Sequence, residues 1–197
     1  MDTLSQLVDA LRCLPGVGPK SAQRMAFHLL QQHQRNRGLH LAQCLTEAMT
    51  AITHCQICNN YTTETICDLC QKPDRDPKTL CVVESPTDVI AIEQCLGYQG
   101  RYFVLMGKIS PIDGIGPDDI GLQQLQTHVR DTNIQEVILA LSPSIESQTT
   151  VHFIQEKLQH LPVKISQLAH GIPSGGELSF LDGHTISSAL RNRENCN

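Results

Sequence analysis

Four cysteines spaced Cys55-x2-Cys58-x8-Cys67-x2-Cys70 can converge on a single ion. Zn²⁺ takes four sulfur ligands in a tetrahedron, and a site closed in this way is structural, with no position open for a substrate. The free energy of filling such a site, about 10–16 kcal/mol in small zinc peptides, becomes folding energy for a segment too short to bury a core. The alternative is a pair of disulfides, or four unrelated buried thiols. Paired Cys-x-x-Cys knuckles in a reducing compartment favour metal, and a total of nine cysteines is odd. Cys13, Cys44, Cys81, Cys95 and Cys196 lie outside the cluster and read as plain thiols.

A second group of residues suits a polyanion. Leu14-Pro15-Gly16-Val17-Gly18-Pro19-Lys20 separates two apolar-periodic segments. Gly16 and Gly18 permit a tight turn and a close approach of backbone to ligand. The helix that follows offers unpaired N–H groups and a positive dipole end, which suits a phosphate. Lys20 and Arg24 are four residues apart and share one helix face. Together they can hold a nucleic-acid backbone without reading its sequence. A helix–turn–helix packing element with a glycine-rich turn is the plainer alternative.

A third group is acidic. Asp113, Asp118 and Asp119 lie in a stretch containing Gly107, Gly114, Gly116 and Gly121. They can bind a cation or a basic partner, or remain solvated, and Asp118 or Asp119 can cap the next helix. Loops of this length usually have a function. His170–Glu177 looks superficially like a phosphate loop but lacks the Gly-Lys-Ser/Thr ending.

Elements follow from periodicity. Leu4, Leu7, Val8 and Leu11 mark a helix over 3–13; further helices are expected at about 19–32 and 39–53. The segment 71–78, with two prolines, reads as a linker. Beyond it short apolar runs at 79–84, 102–106, 136–141 and 163–168 alternate with helical patterns at 86–96, 119–130 and 149–161. Such alternation implies an α/β domain with a parallel sheet flanked by helices.

The chain has 197 residues, no Trp and net charge −5. No apolar run is long enough to span a bilayer, and the amphipathic start does not resemble a secretory signal, so a cytoplasmic location is expected. Charge is unevenly placed: residues 1–40 carry five basic and two acidic side chains, residues 79–197 seven basic and thirteen acidic. Opposite signs at the two ends suggest a polyanion-binding end and a separate acidic module.

LPGVGPKSAQRMAFHLL looks like a helix–hairpin–helix DNA-binding element. That element, a four-cysteine finger and an α/β module, in this order, resemble the RecR family of bacterial recombination mediators along nearly the whole chain. The runs CVVESPTDVIAIEQ, GRYFVLMGKISPIDGIGPDDIGLQQL and AHGIPSGGELSFLDGHTISSAL carry the likeness.

The resemblance implies a helix–hairpin–helix region at 1–53, a four-cysteine zinc finger at 54–71, a Toprim domain at 79–173 and a C-terminal tail at 174–197. It implies a non-enzymatic clamp on single- and double-stranded DNA without sequence specificity, a homo-oligomer expected to be a tetrameric ring. Its nucleoid-associated work would be to join RecO and RecF in loading RecA on gaps. Lys20 and Arg24 would hold phosphates. In the tail, Leu178, Phe180, Leu181, Ile186 and Leu190 would join subunits.

In catalytic Toprim proteins a Glu after the first strand and a later Asp-x-Asp carry Mg²⁺. Here Glu84 is in place, but the later strand is followed by Ser142-Pro143-Ser144-Ile145-Glu146-Ser147. The family usually has Asn-Pro-x-x-Glu-Gly there. Glu84 and Glu146 can share at most one weak ion, so partner binding or a turn-capping role for Glu84 is favoured over catalysis. A Toprim nuclease or topoisomerase would also call for carboxylates, or a reactive Tyr among Tyr61, Tyr98 and Tyr102, that this chain supplies poorly. A zinc-bearing adaptor without a DNA role is the third possibility.

Overall fold

The computed structural model describes residues 2–95, 97–169, 172 and 177–191. Met1–Ile52 and Thr53–Asn197 form two compact units.

The first unit holds three helices, α1 (Thr3–Leu11), α2 (Pro19–Leu30) and α3 (Arg35–Ala51). Asp2 caps α1, its carboxylate accepting from the Ser5 amide at 2.7 Å. Pro19 opens α2, where its missing N–H costs nothing and its fixed φ suits the first turn. The third helix starts four residues earlier than its apolar pattern suggests and runs through Gly38, whose amide donates to Gln34 at 3.0 Å. Among the described residues of this unit only Ala22 and Ala26 are buried. A row of large apolar residues on α3, Leu41, Leu45, Met49 and the following Ile52, stays exposed.

The second unit begins with a zinc-finger-sized module: a two-stranded antiparallel sheet of β1 (Thr53–His54) and β2 (Tyr61–Thr62), then the single turn α4 (Asp68–Gln71). A four-stranded parallel sheet follows, built from β3 (Asp76–Val83), β4 (Gly100–Val104), β5 (Glu136–Ala140) and β6 (Lys164–Gln167) in the order β4-β3-β5-β6. Helices α5 (Pro86–Gln94), α6 (Leu122–Asp131) and α7 (Ile145–Leu158) connect the strands. Successive residues of β3 serve opposite faces, as the pleat requires. Leu80 and Val82 join Phe103, Leu125, Val129, Val137, Leu139 and Ile154 in a core under α6 and α7. Cys81 and Val83 join Val89, Tyr102, Val104 and Ala140 under α5. Gly100 is required by packing, since a Cβ there would lie 2.7 Å from the Thr79 carbonyl. After a 3-10 turn at Leu178–Phe180, α8 (Gly183–Arg191) ends the described chain.

Three local expectations are corrected. The segment 71–78 is no free linker: Arg75 is buried and β3 already begins at Asp76, with a register irregularity between Asp76 and Leu80 that accommodates Pro77. Helix α7 begins at Ile145, not Thr149, because the Ser144 hydroxyl accepts from the Ser147 amide at 3.2 Å and caps it. Helix α6 is capped by neither Asp118 nor Asp119; Gly121 holds that position. Asp119 instead accepts from the Gly116 amide at 2.7 Å, closing a loop turn.

Candidate zinc centre, basic face and acidic surface

The Sγ atoms of Cys55, Cys58, Cys67 and Cys70 all lie within 4.8 Å of one another. The first three residues are buried and the fourth half-buried. Two turns bring them together. Asn59 N–H donates to the Cys55 carbonyl at 2.9 Å, and Cys70 N–H to that of Cys67 at 3.0 Å. The Cys67 amide also donates to Cys55 Sγ at 3.3 Å, tying the two knuckles together. Cys58 and Cys67 sulfurs are 3.4 Å apart, far beyond the roughly 2.05 Å of a disulfide. Tetrahedral Zn–S bonds of about 2.3 Å place sulfurs about 3.8 Å apart, a spacing this cluster accommodates. Hydrogen bonds from Cys58 and Cys70 hold the Cys67 thiol well below the usual thiol range. The same hydrogen bond, shared with Cys67, pushes the Cys58 thiol up. Sulfurs this close suit a shared divalent cation, which takes thiolates as ligands.

The finger is bonded to the sheet edge. Val104 N–H donates to the Cys58 carbonyl at 2.8 Å. Asn59, in the left-handed region at φ 61, donates from Nδ2 to the Val104 carbonyl at 2.7 Å. At the other end of β4, buried Arg75 donates from Nη1 to the Gly100 carbonyl at 2.7 Å. Its Nη2 pairs with Glu93 at 2.5 Å, and its guanidinium lies 5.3 Å from the Tyr102 ring centre. These contacts satisfy outward backbone groups of an edge strand, which otherwise invite non-native pairing. Sequence reasoning missed Arg75 and Glu93. Asn59 had one usable signal, since Asn tolerates the left-handed region better than most residues.

In the first unit, Gly16 takes φ 77 and the Val17 amide closes the turn on the Leu14 carbonyl at 3.1 Å. A Cβ at Gly16 or Gly18 would meet nothing within 4 Å, so the space over the turn is open. Lys20 and Arg24 are exposed, on the side of α2 opposite buried Ala22 and Ala26. Among the described residues neither forms an ion pair.

Glu84 follows β3, Ser142–Ser147 follows β5 and the 107–121 loop follows β4, so all three meet at the carboxyl end of the parallel strands, the usual place for α/β sites. Glu84 does not cap the Ser85-Pro86 turn; Ser85 and Asp88 form that capping box themselves. Glu84 instead accepts from the Ser142 amide at 3.0 Å and from the Ser147 hydroxyl. Glu146 pairs with Lys108 at 3.6 Å. Asp113 accepts from the Ser110 hydroxyl at 2.6 Å, Asp119 serves its own turn, and Asp118 is exposed. Among the described residues, the cysteines are the only group of three or more metal-ligating side chains close enough to share an ion. The Tyr98 phenol donates to the Arg101 carbonyl at 2.9 Å and that of Tyr102 to Glu93 at 2.6 Å. Burial is the main reason both phenols are pushed up; at Tyr102 the hydrogen bond to Glu93 adds to it. In the tail Phe180 is exposed, while Leu181 and Ile186 are half-buried. The side chains of Leu178 and Leu190, and most of the 170–177 loop, lie outside the described residues.

A three-helix unit with a glycine turn, a four-cysteine finger and a Toprim-like parallel sheet, in this order, define a zinc-bearing Toprim protein. Family models agree: the RecR helix-hairpin-helix matches residues 4–49, the RecR four-cysteine zinc finger domain 52–71, the Toprim domain 78–169 and the RecR C-terminal region 171–194. The chain is 72% identical over 193 residues to a protein named "Recombination protein RecR" from Legionella pneumophila strain Philadelphia 1, covering 98% of this chain and 96% of that one. Relatives of the same name from strains Corby and Lens are also 72% identical, covering 98% of each chain. The chain belongs to the RecR family of recombination proteins. Its four cysteines hold one structural Zn²⁺.

No helix among the described residues is long and apolar enough to cross a membrane.

Proposed function

We propose that this protein is a non-catalytic DNA clamp acting in recombination and repair. The observation that carries this is the basic face of α2: exposed Lys20 and Arg24 beside an open glycine turn. Phosphates would lie over the turn at Gly16 and Gly18 and between the two side chains. Nothing on that face reads bases, so single- and double-stranded DNA would bind without sequence preference. We take the functional divisions as 1–53, 54–71, 79–173 and 174–197.

Homo-oligomerisation is supported by α3, which buries none of its residues within its own unit. Leu41, Leu45 and Met49 follow a four-residue repeat, and burying such a row against another copy stabilises an oligomer. A tetrameric ring would enclose DNA and so hold it despite a net charge of −5. The Toprim carboxylates Glu84 and Glu146, with Asp113, Asp118 and Asp119 of the loop, would dock the basic surfaces of RecO and RecF. The assembly would then load RecA at gaps, in the cytoplasm and on the nucleoid. The bonded phenols of half-buried Tyr98 and buried Tyr102 and the internally paired Glu84 speak against strand-cleavage chemistry.

The test is incubation with supercoiled and gapped plasmid in Mg²⁺ or Mn²⁺, scoring retention and cleavage. Retained, uncut DNA is expected, with retention lost in Lys20→Ala/Arg24→Ala. Nicking abolished by Glu84→Ala would overturn the non-catalytic assignment, and unchanged retention by the double variant would overturn the DNA face.

A further inference from the structure

The carboxylate of Glu84 ends a chain of hydrogen bonds that begins at a cation. Lys108 Nζ donates to the Ser144 hydroxyl oxygen at 3.4 Å. The hydroxyls of Ser144 and Ser147 are 2.9 Å apart. Ser147 in turn donates to Glu84 Oε1. Within this chain of four groups, one direction of donation satisfies every member. The ammonium has protons only to give and the carboxylate has only lone pairs. Each hydroxyl therefore accepts from the lysine side and donates towards the carboxylate. Polarisation runs the same way along the chain, and each bond strengthens the next.

The ends of this relay are also fixed. Ser147 is fully buried, and its amide donates to the same Ser144 oxygen at 3.2 Å, so the first turn of α7 holds both hydroxyls in place. Ser142 adds an amide donor to Glu84 Oε1 at 3.0 Å and a hydroxyl to Oε2 at 3.4 Å. Oε1 thus has both lone pairs in use. The second carboxylate nearby, Glu146, is drawn to Lys108 at 3.6 Å. A divalent cation entering here would have to break a half-buried hydroxyl–carboxylate bond and compete with an ammonium. Mg²⁺ gives up its water reluctantly and for few carboxylates, so this competition goes against it.

We propose that the Lys108–Ser144–Ser147–Glu84 relay is a resident substitute for a divalent cation. It keeps the acidic surface in shape without an ion, and Ser147 is the positioning residue that excludes one. The same carboxylates are read above as a partner-docking surface. The metal titration below uses neither partner nor DNA, so either assignment can fail without the other.

The experiment is Mn²⁺ titration of the zinc-loaded full chain, followed by electron paramagnetic resonance, with zinc content checked throughout. Thermal melting with and without Mg²⁺, at matched ionic strength, runs alongside. Wild type is expected to bind no Mn²⁺ at concentrations of about 1 mM and to show no Mg²⁺-specific shift in melting. Ser147→Ala removes one hydroxyl and keeps the Cβ. It should melt lower, regain part of that loss with Mg²⁺, and bind Mn²⁺ at least about tenfold more tightly. Glu84→Gln added to Ser147→Ala should abolish the gain. Lys108→Met, at the half-exposed end of the relay, should show the same gain and serves if Ser147→Ala folds poorly. A wild type that binds Mn²⁺ as tightly as these variants, or variants that lose stability without gaining Mn²⁺, would overturn the proposal.

Discussion

Asn59 reaches 45 residues along the chain to donate its side-chain amide to the carbonyl of Val104, at 2.7 Å. One residue of the zinc knuckle thereby completes the edge of the Toprim sheet, because the neighbouring Cys58 carbonyl accepts from the Val104 amide. Asn59 does this from φ 61, where its side chain is tolerated and most others are strained. Asn59→Ala should therefore cost about 2 kcal/mol, one hydrogen bond plus left-handed strain. Asn59→Gly, free of that strain, should cost about 1 kcal/mol or less. Denaturant titration at constant zinc, comparing the two, separates the contributions.

Zinc occupancy and protection of the sheet edge should change together. Cys67→Ser is expected to lower zinc from about one per chain to near zero by plasma emission. In the wild type, a chelator should speed hydrogen exchange at the Val104 amide while Leu139, in the sheet centre, stays protected. Equal loss at both positions would mean that the finger supports the whole fold and not the edge alone.

Arg75 and Glu93 form a pair whose guanidinium is the deeper partner, at 6% side-chain exposure against 29%. Burial pushes the Glu93 carboxyl up, yet donation from Arg75 and Tyr102 prevails and leaves it below its usual value. Arg75→Met strips the Gly100 carbonyl and Glu93 of a donor and should destabilise by about 2–4 kcal/mol. Glu93→Gln, which keeps an acceptor for both donors, should cost less. A double-mutant cycle by thermal melting would report the coupling.

His128 sets an acid sensitivity. Its Nε2 is buried without a hydrogen-bond partner among the described residues, and it lines a cleft of about 570 Å³ between the finger and α6. Burial, and then the charge of Arg101, hold its pKa below the ordinary 6.5. The unfolded chain therefore takes up a proton near that pH that the folded chain refuses, so the contribution is complete above 6.5 and is lost as pH falls through the folded value. Melting temperature should drop between pH 7.5 and 5.5, and His128→Gln should flatten that slope (about one proton at most).

What could be read from sequence was local. The Cys-x-x-Cys pairs close within one turn each, so their spacing already encodes ligand geometry. Gly16 and Pro19 specify a turn and a helix start because their φ preferences are intrinsic. Alternation of Leu80 and Val82 with Cys81 and Val83 is a property of the pleat, not of the neighbours. The start of α7 was also local, in the Ser144 cap, but a serine-rich turn after a proline reads equally well as loop.

The rest depended on which strands became neighbours. The order β4-β3-β5-β6 sets Glu84 beside a turn 63 residues away, where Ser147 meets its carboxylate, and folds a supposed linker so that Arg75 is buried against Gly100 and Glu93. No periodicity marks such pairs. Their hydrogen bonds exist only once the sheet has assembled, since the free energy of closing those loops comes from the apolar core and not from the polar residues the core brings together.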